Sequence, residues 1–596
     1  MKAIISILTV CMLAVLFSMT SCNDDKFLEE NPESFYTIDN IYSTSAQVDQ
    51  IVIAIYSQLR TMWTNPGESA SYYDWRGKGT DMYDVGSNRK GSTFSDYSTI
   101  NSNHNTFKDI YADMYKIISR TNLAMYAAEL PQITWASADE KAYIIAQAKF
   151  FRAFAYRNLG ELFGGVPIVD ELVTGPRYDF ERSTRVQTYQ FAIDDLESAL
   201  SDLPETTASG GRIVRGAAQH NLAQLYLSLG IQLEAEGKSG ESQAAYTSSV
   251  NYANQLIDGG TYSLMTGRFG KRANEATFTI DIHESGNSAR AVVDTLLFYP
   301  NHFWDLFQDG NINYQDGNKE SIWTLQVDWD AYQAEDKQSY LKYTRAYGHS
   351  FRDCIPDVIT GMLEDIGGRG ITRVNATMYT RDFIYDDKWG EDLRNSEVVM
   401  RRRFKGNVPG SPYYLKVIPW DYIYYGNTSS AVNDNNRSRA WPQSCKVTTD
   451  KYVGTDMGQD RSNLFRDDYY IRLSETILLR AEAKQRLGNK QGAASDINLL
   501  RARAQCSYMV TAADMDDNFN MILDERAREL VYEEARWNTL LRMGGTIAVD
   551  RIRQYAFWPE TKATLNFNYN LWPIPQSVID TNKDVVLQQN PGWTDR

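Results

Sequence analysis

Two stretches of the chain combine tryptophan and tyrosine with amide, carboxylate and guanidinium side chains. The first is residues 72–103, and the second lies within residues 262–468. A sugar ring has an apolar face, on which a flat aromatic ring can stack, and polar edges that hydrogen-bond to such side chains. These residue types indicate a surface for a polyhydroxylated ligand. The side chains predicted to contact it are Trp75, Asp81, Arg89, Tyr97, Trp304, Trp323 and Trp329.

The three tryptophans of the second stretch have different neighbours. Trp304 lies close to Asn301 and Asp305, and Trp329 stands between two aspartates, so both are expected to be exposed. Trp323 lies in an apolar run with Ile322 and Leu325, which is more typical of a buried strand. A single aromatic residue belongs to a core more often than to a ligand platform, so the prediction depends on the stretch as a whole.

The residue patterns of common catalytic and metal sites are absent from the sequence. The five histidines are scattered, without the H-E-x-x-H spacing of a zinc site, and neither a G-x-S-x-G elbow nor a phosphate-binding loop occurs. The acidic pairs Asp524-Glu525 and Glu533-Glu534 lie among arginines, which indicates a solvated or ion-paired helix face. We therefore predict no catalytic residues, no cofactor and no metal ion, although sequence spacing does not reveal whether two carboxylates face each other as in a glycosidase.

The first residues have the composition of an export signal. Lys2 is followed by an apolar run from residue 3 to residue 17 and by small residues up to Ser21. The run is shorter than the about 20 residues of a membrane-spanning helix, and its flanks are those of a secretory signal. Cys22 stands where a bacterial lipobox has the cysteine that receives acyl chains. We predict that residues 1–21 are removed and that Cys22 is lipidated; the alternative is a plain secreted protein.

The net charge of −15 limits the kinds of partner. Nucleic-acid binding relies on basic contacts with phosphate, and an acidic chain is not drawn to an anionic membrane surface. We predict no nucleic-acid partner and attachment to the membrane through the acyl chains of Cys22. The remaining cysteines of the mature chain include no close pair, so one disulfide bond is possible but a framework of several is not; they are Cys354, Cys445 and Cys506.

Apolar residues recur with helical spacing in both terminal parts of the chain. N-terminal helices are predicted at about residues 46–62, 183–200, 215–229 and 242–257, and a helical region at about residues 105–159, ended by Gly160 and Gly164-Gly165. C-terminal helices are predicted at about residues 473–504, with a turn at Gly488, and at about 521–542. Small alanines at the packing positions make these helix pairs similar to tetratricopeptide repeats. The sequence therefore predicts a mainly α fold.

The segment between the two helical blocks has a different composition. Glycine, asparagine, aspartate and aromatic residues dominate residues 262–468, which predicts a large, irregular, loop-rich insert. We divide the chain into a signal (1–21), an N-terminal helical part with the ligand loop 72–103 (22–261), the insert (262–468) and a C-terminal helical part that completes the scaffold (469–596). No linker composition separates these parts, so one interwoven globule is expected.

A series of short motifs runs in order along the whole chain. They are Cys22 with Phe27-Leu28-Glu29, Arg152-Ala153-Phe154-Ala155-Tyr156 with Leu162-Phe163-Gly164-Gly165-Val166-Pro167, Asn318-Lys319-Glu320-Ser321-Ile322-Trp323, Tyr470-Ile471-Arg472-Leu473-Ser474-Glu475 with Leu479-Arg480-Ala481-Glu482-Ala483, and Leu571-Trp572-Pro573-Ile574-Pro575 with Asn590-Pro591-Gly592. This ordered set resembles the SusD/RagB family of outer-membrane lipoproteins.

The resemblance implies a tetratricopeptide-like scaffold whose irregular insert carries the ligand site. It implies a surface protein that binds oligosaccharide and delivers it to a SusC-like TonB-dependent outer-membrane transporter, on which it sits as a lid. By the same resemblance, Asp81, Arg89 and Tyr97 are carried over as ligand contacts. The alternatives are a peptide-binding member of this family, a secreted glycoside hydrolase, and a tetratricopeptide adaptor without a small ligand.

Overall fold

The computed structural model describes residues 37–87, 94–286, 291–334, 339–359, 370–371, 373–385, 389–425, 434–450, 452–453, 463–565 and 570–593. The described chain is built mainly from α-helices with a few short strand pairs, so the mainly α class predicted from the sequence is confirmed. Within these ranges, no helix has both the length and the apolar character that a bilayer-spanning segment requires.

The N-terminal block consists mainly of α-helices. After a single turn at Ile38–Ile41, its helices are α1 (Ser45–Thr64), α2 (Ala70–Arg76), α3 (Asn105–Ala128), α4 (Ala138–Phe163), α5 (Arg185–Ala199), α6 (Arg215–Ala235) and α7 (Ser239–Ile257). Consecutive helices from α3 to α7 pack against each other. Helix α5 begins with a capping box: Thr184 accepts the Gln187 N–H at 3.1 Å, and the Gln187 side chain accepts the Thr184 N–H at 2.8 Å.

Gly160 does not break α4, in contrast to the sequence-based expectation. The helix continues to Phe163 and ends at Gly164, whose φ of 80° is unfavourable for other residues. Gly160 instead permits a close approach between helices, because a Cβ atom there would lie 2.5 Å from Cε1 of the buried Tyr189 on α5. The glycine therefore serves helix packing in the middle of α4.

The C-terminal block continues the same layer of helices. Its helices are α8 (Leu473–Arg486), α9 (Lys490–Arg503), α10 (Asn520–Leu530), α11 (Arg536–Met543), α12 (Ile547–Tyr555), α13 (Pro559–Thr564) and α14 (Gln576–Thr581). Helix α8 packs against both α6 and α7 of the N-terminal block and against α9. The two blocks, which are distant in sequence, therefore form one helical scaffold.

The single helix predicted at about residues 521–542 is wrong. The structure has two helices there, α10 and α11, separated by residues 531–535. Tyr532 adopts a left-handed φ of 65°, and its N–H donates to Tyr83 Oη at 2.6 Å instead of to a helical carbonyl. A long-range contact thus interrupts a segment whose local sequence favours helix.

Five two-stranded antiparallel ladders organise the middle of the described chain. They pair β1 (Tyr83–Asp84) with β5 (Asn375–Ala376), β2 (Phe278–His283) with β3 (Val292–Phe298), β4 (Ser321–Leu325) with β10 (Asp468–Arg472), β6 (Met400–Arg401) with β7 (Gln443–Ser444), and β8 (Tyr452–Val453) with β9 (Asn463–Leu464). Short helices lie between them at His302–Asp305, Trp329–Gln333, Tyr343–Tyr347, Met378–Arg381, Trp420–Tyr425 and Asp434–Arg437.

The hydrophobic core is shared between the helices and the middle segment. The largest buried cluster contains side chains of both helical blocks together with Trp323, Tyr343 and Tyr347. Two smaller clusters belong mostly to the middle segment, one beneath β2 and β3 and one around Phe351 and Phe404. The middle segment therefore packs partly into the main core and partly around cores of its own.

Candidate functional site

Two aromatic residues predicted in the first loop lie in the protein interior. Trp75 has no exposed surface, and its indole N–H donates to Asn538 Oδ1 at 2.9 Å. Tyr97 is equally buried, and its hydroxyl donates to the Gly79 carbonyl oxygen at 2.6 Å. A ring that is covered on all sides cannot stack on a sugar. Ligand contact by these rings therefore stays a prediction, without support from the structure.

Asp81 belongs to a buried ion cluster. Its carboxylate accepts hydrogen bonds from Arg536 at 2.6 and 2.9 Å and from Arg551 at 3.0 Å. Burial by itself would raise the pKa of Asp81, but the two guanidinium groups outweigh this effect and lower it. The arginines lie on α11 and α12, so Asp81 fastens the first loop to the C-terminal block. This structural contact occupies the carboxylate that was predicted to face the ligand.

The exposure expected for Trp304 is wrong, since only 2% of its surface is accessible. Asn301 caps the short helix by accepting the Trp304 N–H at 2.9 Å, and the ring turns inward against Phe278, whose centre lies 5.3 Å away. The Arg272 guanidinium also lies over the ring, 4.7 Å from its centre. The polar neighbours that suggested exposure are used in capping and ion pairing.

Trp323 is buried, as its apolar neighbours indicated. It lies on β4 with 1% of its surface accessible, and its indole N–H donates to the Gly211 carbonyl oxygen at 2.9 Å. Phe150 of α4 packs edge-on against it, with ring centres 5.4 Å apart. Trp323 therefore joins the middle segment to the helical scaffold, and the structure offers no support for its predicted contact with ligand.

Trp329 keeps part of its surface accessible. It begins the short helix Trp329–Gln333 and is half-buried. Its ring stacks on Tyr332 at 6.0 Å and meets Phe465 edge-on at 4.6 Å. The remaining surface lies beside the exposed residues Asp328 and Asp330. This arrangement of a supported ring beside carboxylates suits sugar stacking.

Arg89 and Cys22 lie outside the residues that the structure describes. The contact predicted for the Arg89 guanidinium and the acylation predicted for Cys22 therefore stay predictions.

A second surface joins the first loop to the middle segment through hydrogen bonds. The Ser87 N–H donates to Ser438 Oγ at 2.9 Å, and Arg439 Nε donates to Ser87 Oγ at 3.3 Å. The Arg439 guanidinium also reaches the Asp353 carbonyl oxygen at 3.5 Å. We call this surface the Ser87 face and define it by Ser87, Asp353, Asp357, Trp420, Tyr422 and Arg439.

The Ser87 face carries two half-buried aromatic rings, Trp420 and Tyr422. Trp420 is supported by Tyr424, whose ring centre is 4.9 Å away, and by Phe404 in a parallel arrangement at 6.3 Å. The Tyr422 hydroxyl donates to Asp357 Oδ2 at 3.2 Å. Burial, with a further contribution from Asp357, raises the pKa of Tyr422 to about 12, so the phenol stays protonated at neutral pH.

A small hydrophobic core supports this face from below. Phe351, Ile355, Phe404 and Ile423 are buried in it, and Trp420 and Tyr422 pack on its edge. The rings are therefore held in place while part of their surface stays accessible. Such preorganised rings lose little conformational entropy when a ligand stacks on them.

The residues of the Ser87 face outside the first loop were not among the predicted contacts. A signal is present in the sequence at Pro419-Trp420-Asp421-Tyr422, where aromatic and acidic residues alternate after a proline. Nothing in the sequence places this segment beside Ser87, because residues more than three hundred positions apart are brought together only by the fold.

The acidic residues of the C-terminal helices form buried ion pairs. Glu529 pairs with Arg472 at 2.6 Å, with Arg394 at 3.0 Å and with Arg503. Burial opposes ionisation, but these guanidinium groups hold the pKa of Glu529 well below its ordinary value. Such a carboxylate is not suited to general acid catalysis at neutral pH. The ion pairing predicted for Asp524-Glu525 and Glu533-Glu534 is confirmed, since each of these four carboxylates pairs with an arginine, although Glu525 and Glu534 are buried and not solvated.

Candidate metal ligands are not clustered in the described part of the chain, where no group of three or more His, Cys, Asp or Glu side chains could hold an ion. The three cysteines described there, Cys354, Cys445 and Cys506, are free thiols. Burial raises the pKa of the Cys445 thiol to about 12, so it is not a reactive thiolate at neutral pH.

Two family models match the chain. The model described as the SusD family matches residues 319–593, and a model described as starch-binding associating with outer membrane matches residues 26–227. Among proteins of known sequence, the SusD-like protein P2 of Formosa agariphila is 22% identical over 604 aligned residues, which cover 98% of this chain and 99% of the relative. A SusD-like protein of Bacteroides ovatus is 25% identical over 37% of this chain and 39% of its own length.

Solved structures share the fold over nearly the whole length. A SusD homolog from Bacteroides thetaiotaomicron superposes with a TM-score of 0.64 and 15% identity, covering 93% of this chain and 98% of the homolog. B. fragilis NanU superposes with a TM-score of 0.60 and 18% identity, covering 94% of this chain and 100% of NanU. At these identities, the superpositions establish the architecture and leave the ligand open.

Proposed function

The chain belongs to the SusD family, and we propose that it is a non-enzymatic, lipid-anchored surface protein that binds oligosaccharide and delivers it to a SusC-like TonB-dependent transporter of the outer membrane. Two lines of support converge on carbohydrate. They are the description of the N-terminal family model as starch-binding and outer-membrane-associated, and the aromatic surfaces of the structure.

The observation that carries the carbohydrate proposal is the combination of groups at the Ser87 face. Trp420 and Tyr422 provide supported, partly accessible rings, and Asp357 provides an acceptor beside Tyr422. Arg439 provides a donor at the Asp353 carbonyl oxygen, four residues before Asp357. Apolar ring faces flanked by charged hydrogen-bonding groups suit a sugar, whose faces are apolar and whose edges are hydroxyls. The half-buried Trp329 offers a further stacking ring.

The proposed site is tested by measuring affinity and stability together on the protein without its signal. A glycan array identifies a ligand, and calorimetry then compares the wild type with Trp420→Ala. Loss of a stacking ring is expected to weaken binding about tenfold. The analogy is with rings that stack on nucleic-acid bases, whose replacement by alanine costs about 1–3 kcal/mol of binding free energy. Tyr299→Ala is the matched control, because Tyr299 is 71% exposed and lies outside the Ser87 face. Equal affinity of all three proteins would remove the Ser87 face from the proposal.

A peptide array run in parallel separates the carbohydrate proposal from the peptide-binding alternative. Binding to peptides with no glycan bound would favour that alternative within the same family. The non-enzymatic proposal predicts that the bound oligosaccharide keeps its length over hours. Product release that follows the pure protein and disappears when one carboxylate is replaced would contradict it.

The lipid anchor and the transporter are proposed from Cys22 and from the family. Cys22→Ala should move the protein from the membrane fraction to the soluble fraction without changing its affinity for glycan. A Cys22→Ala protein that remains acylated and membrane-bound would contradict the anchor. The transporter is tested separately, by co-purification of a TonB-dependent outer-membrane protein with the wild type.

A further inference from the structure

An open apolar groove lies on the helical scaffold, away from the residues of the Ser87 face. It encloses about 480 Å³ between α3, the extended segment after α4, and α14. Tyr111 and Tyr115 of α3 form one wall, Phe180 lies in the extended segment, and Val578 and Leu587 form the wall near the C-terminus. Its volume falls in the range of about 300–1,000 Å³ that is usual for small-molecule sites.

The walls of this groove are held in place by contacts among the lining residues themselves. The Tyr115 hydroxyl donates to the Pro167 carbonyl oxygen at 2.6 Å, and the Tyr111 ring lies against Tyr115 with centres 4.9 Å apart. On the other side, the Asn582 side chain donates to the Phe180 carbonyl oxygen at 2.9 Å. The groove is therefore formed before any ligand binds.

A cation lies at the rim of the groove. Lys108 is half-buried one turn before Tyr111 and Ala112 on α3. Among the described residues, no carboxylate comes within ion-pair distance of its ammonium group. The second cation of the rim, Arg177, is balanced by Asp179 at 3.1 Å. In a chain with a net charge of −15, an unbalanced lysine beside an apolar groove favours an anionic group of a ligand.

We propose that this groove binds a small aromatic carboxylate, with its ring between the partly accessible Tyr115, Phe180 and Val578 and its carboxylate at Lys108. Three aromatic side chains in the lining favour a flat ring over an aliphatic chain, because rings gain from edge-to-face and offset contacts. The negative charge is selected by Lys108 against the general repulsion of an acidic protein. This site is independent of the proposed glycan function and uses none of its residues.

The probe for the site is 2-naphthoate, added to the full mature chain and measured by calorimetry. Saturable binding is expected. Ala112 is exposed and lines the groove, so Ala112→Trp should fill the groove and weaken binding at least about tenfold. Ala244→Trp on α7 is the matched control, since Ala244 is also an exposed helical alanine outside the groove and its replacement should leave binding unchanged. Circular dichroism verifies that both variants fold.

A second comparison tests the role of the charge. The wild type should bind 2-naphthoate about fivefold more tightly than the neutral 2-naphthamide, which corresponds to a partly exposed ion pair. Lys108→Gln should remove this difference while leaving the naphthamide affinity unchanged. No saturable binding, equal binding by Ala112→Trp, or a preference for naphthoate that survives Lys108→Gln would each overturn the proposal. The glycan affinity measured on the same variants should not change, which separates this outcome from a failure of the glycan site.

Discussion

At the scale of single residues, neighbouring contacts decide whether an aromatic side chain can meet a ligand. Trp420 is supported by Tyr424 and Tyr422 by Asp357, and both rings keep part of their surface accessible. Trp304 and Trp323, in contrast, expose 2% and 1% of their surface. A partly accessible ring can contribute to ligand affinity, and a buried ring contributes to the free energy of unfolding. Replacing each ring by alanine and measuring both quantities separates the two contributions.

Trp323→Ala should destabilise the protein without a selective effect on glycan binding. The ring fills the junction between β4 and α4, and truncation of a buried tryptophan costs about 3–5 kcal/mol through lost burial and the resulting cavity. Thermal and chemical denaturation should show this loss, while the affinity of the remaining folded fraction stays at the wild-type value. A stable Trp323→Ala protein with weakened affinity would instead place this ring at the ligand.

Ionised Glu482 should stabilise the folded protein, so that the free energy of unfolding falls when the solution becomes acidic. Burial would raise its pKa, but Arg542 and Arg486 outweigh burial and lower the pKa to about 2 from an ordinary value of 4.5. A carboxyl group whose pKa is depressed in the folded state stabilises above the unfolded pKa, and this stabilisation is lost as pH falls from about 4.5 towards 2. Its size is about 3 kcal/mol by linkage.

Denaturation curves between about pH 6 and the acid limit measure this contribution. Glu482→Gln should flatten the acid dependence, whereas Glu234→Gln should leave it intact, because Glu234 is 58% exposed and lies 3.5 Å from Arg486 at its closest. An unchanged pH profile of Glu482→Gln would contradict the assignment.

At the scale of elements, contacts with neighbouring elements decide where a helix ends and which residues it can contain. Helix α4 passes through Gly160 because Tyr189 of α5 fills the space where a side chain would be, and α10 ends before Tyr532 because that residue pairs with Tyr83. In both places a tertiary contact overrides local helix propensity. The contact between Gly160 and Tyr189 predicts that replacing Gly160 by alanine destabilises the protein, whereas helix propensity alone predicts stabilisation.

Gly160→Ala should destabilise the scaffold, although glycine is about 1 kcal/mol less favourable than alanine inside a helix. The new Cβ would lie 2.5 Å from the ring of Tyr189, which is buried and has no room to move, and overpacking costs about 1–3 kcal/mol. Gly240→Ala on α7 is the matched control, since a Cβ atom there would have no neighbour within 4 Å and the change should be neutral or stabilising. Gly160→Ala should therefore lower the free energy of unfolding, whereas Gly240→Ala should leave it unchanged or raise it.

At the scale of the whole molecule, a buried ion network connects parts that are distant in sequence. Glu529 of α10 pairs with Arg472 of β10, Arg503 of α9 and Arg394 of the middle segment. Glu320, which directly precedes β4, also pairs with Arg472 at 3.3 Å and Arg503 at 3.1 Å. Ion pairs therefore join the helical scaffold to the middle segment, and each buried charge has its counter-ion on a different part of the chain.

Glu529→Gln should destabilise the whole protein by about 3–5 kcal/mol, because it leaves buried guanidinium charges without their counter-ion. The loss should appear as one shifted unfolding transition for both the helices and the aromatic residues of the middle segment. The control is Glu205→Gln, which breaks an ion pair of Arg215 whose carboxylate is 68% exposed and should change stability little. Separate transitions for helices and aromatic residues would contradict a shared network.

The sequence by itself determined the fold class, the positions of most helices and the family. These depend on local or ordered signals: helical periodicity, the cap at Thr184, and motifs from Arg152 to Asn590 that retain their order along the chain. Such signals can be recognised from the sequence alone, because each involves residues only a few positions apart.

Only the tertiary structure decided which aromatic residues are accessible. Trp304 has polar sequence neighbours and is buried, since Asn301 caps its helix and Arg272 covers its ring. The Ser87 face exists because Ser87 meets Ser438 and Arg439 across more than three hundred residues. Burial and long-range contact are properties of packing, and the identity of a residue and its immediate neighbours does not specify what the rest of the chain places on top of it.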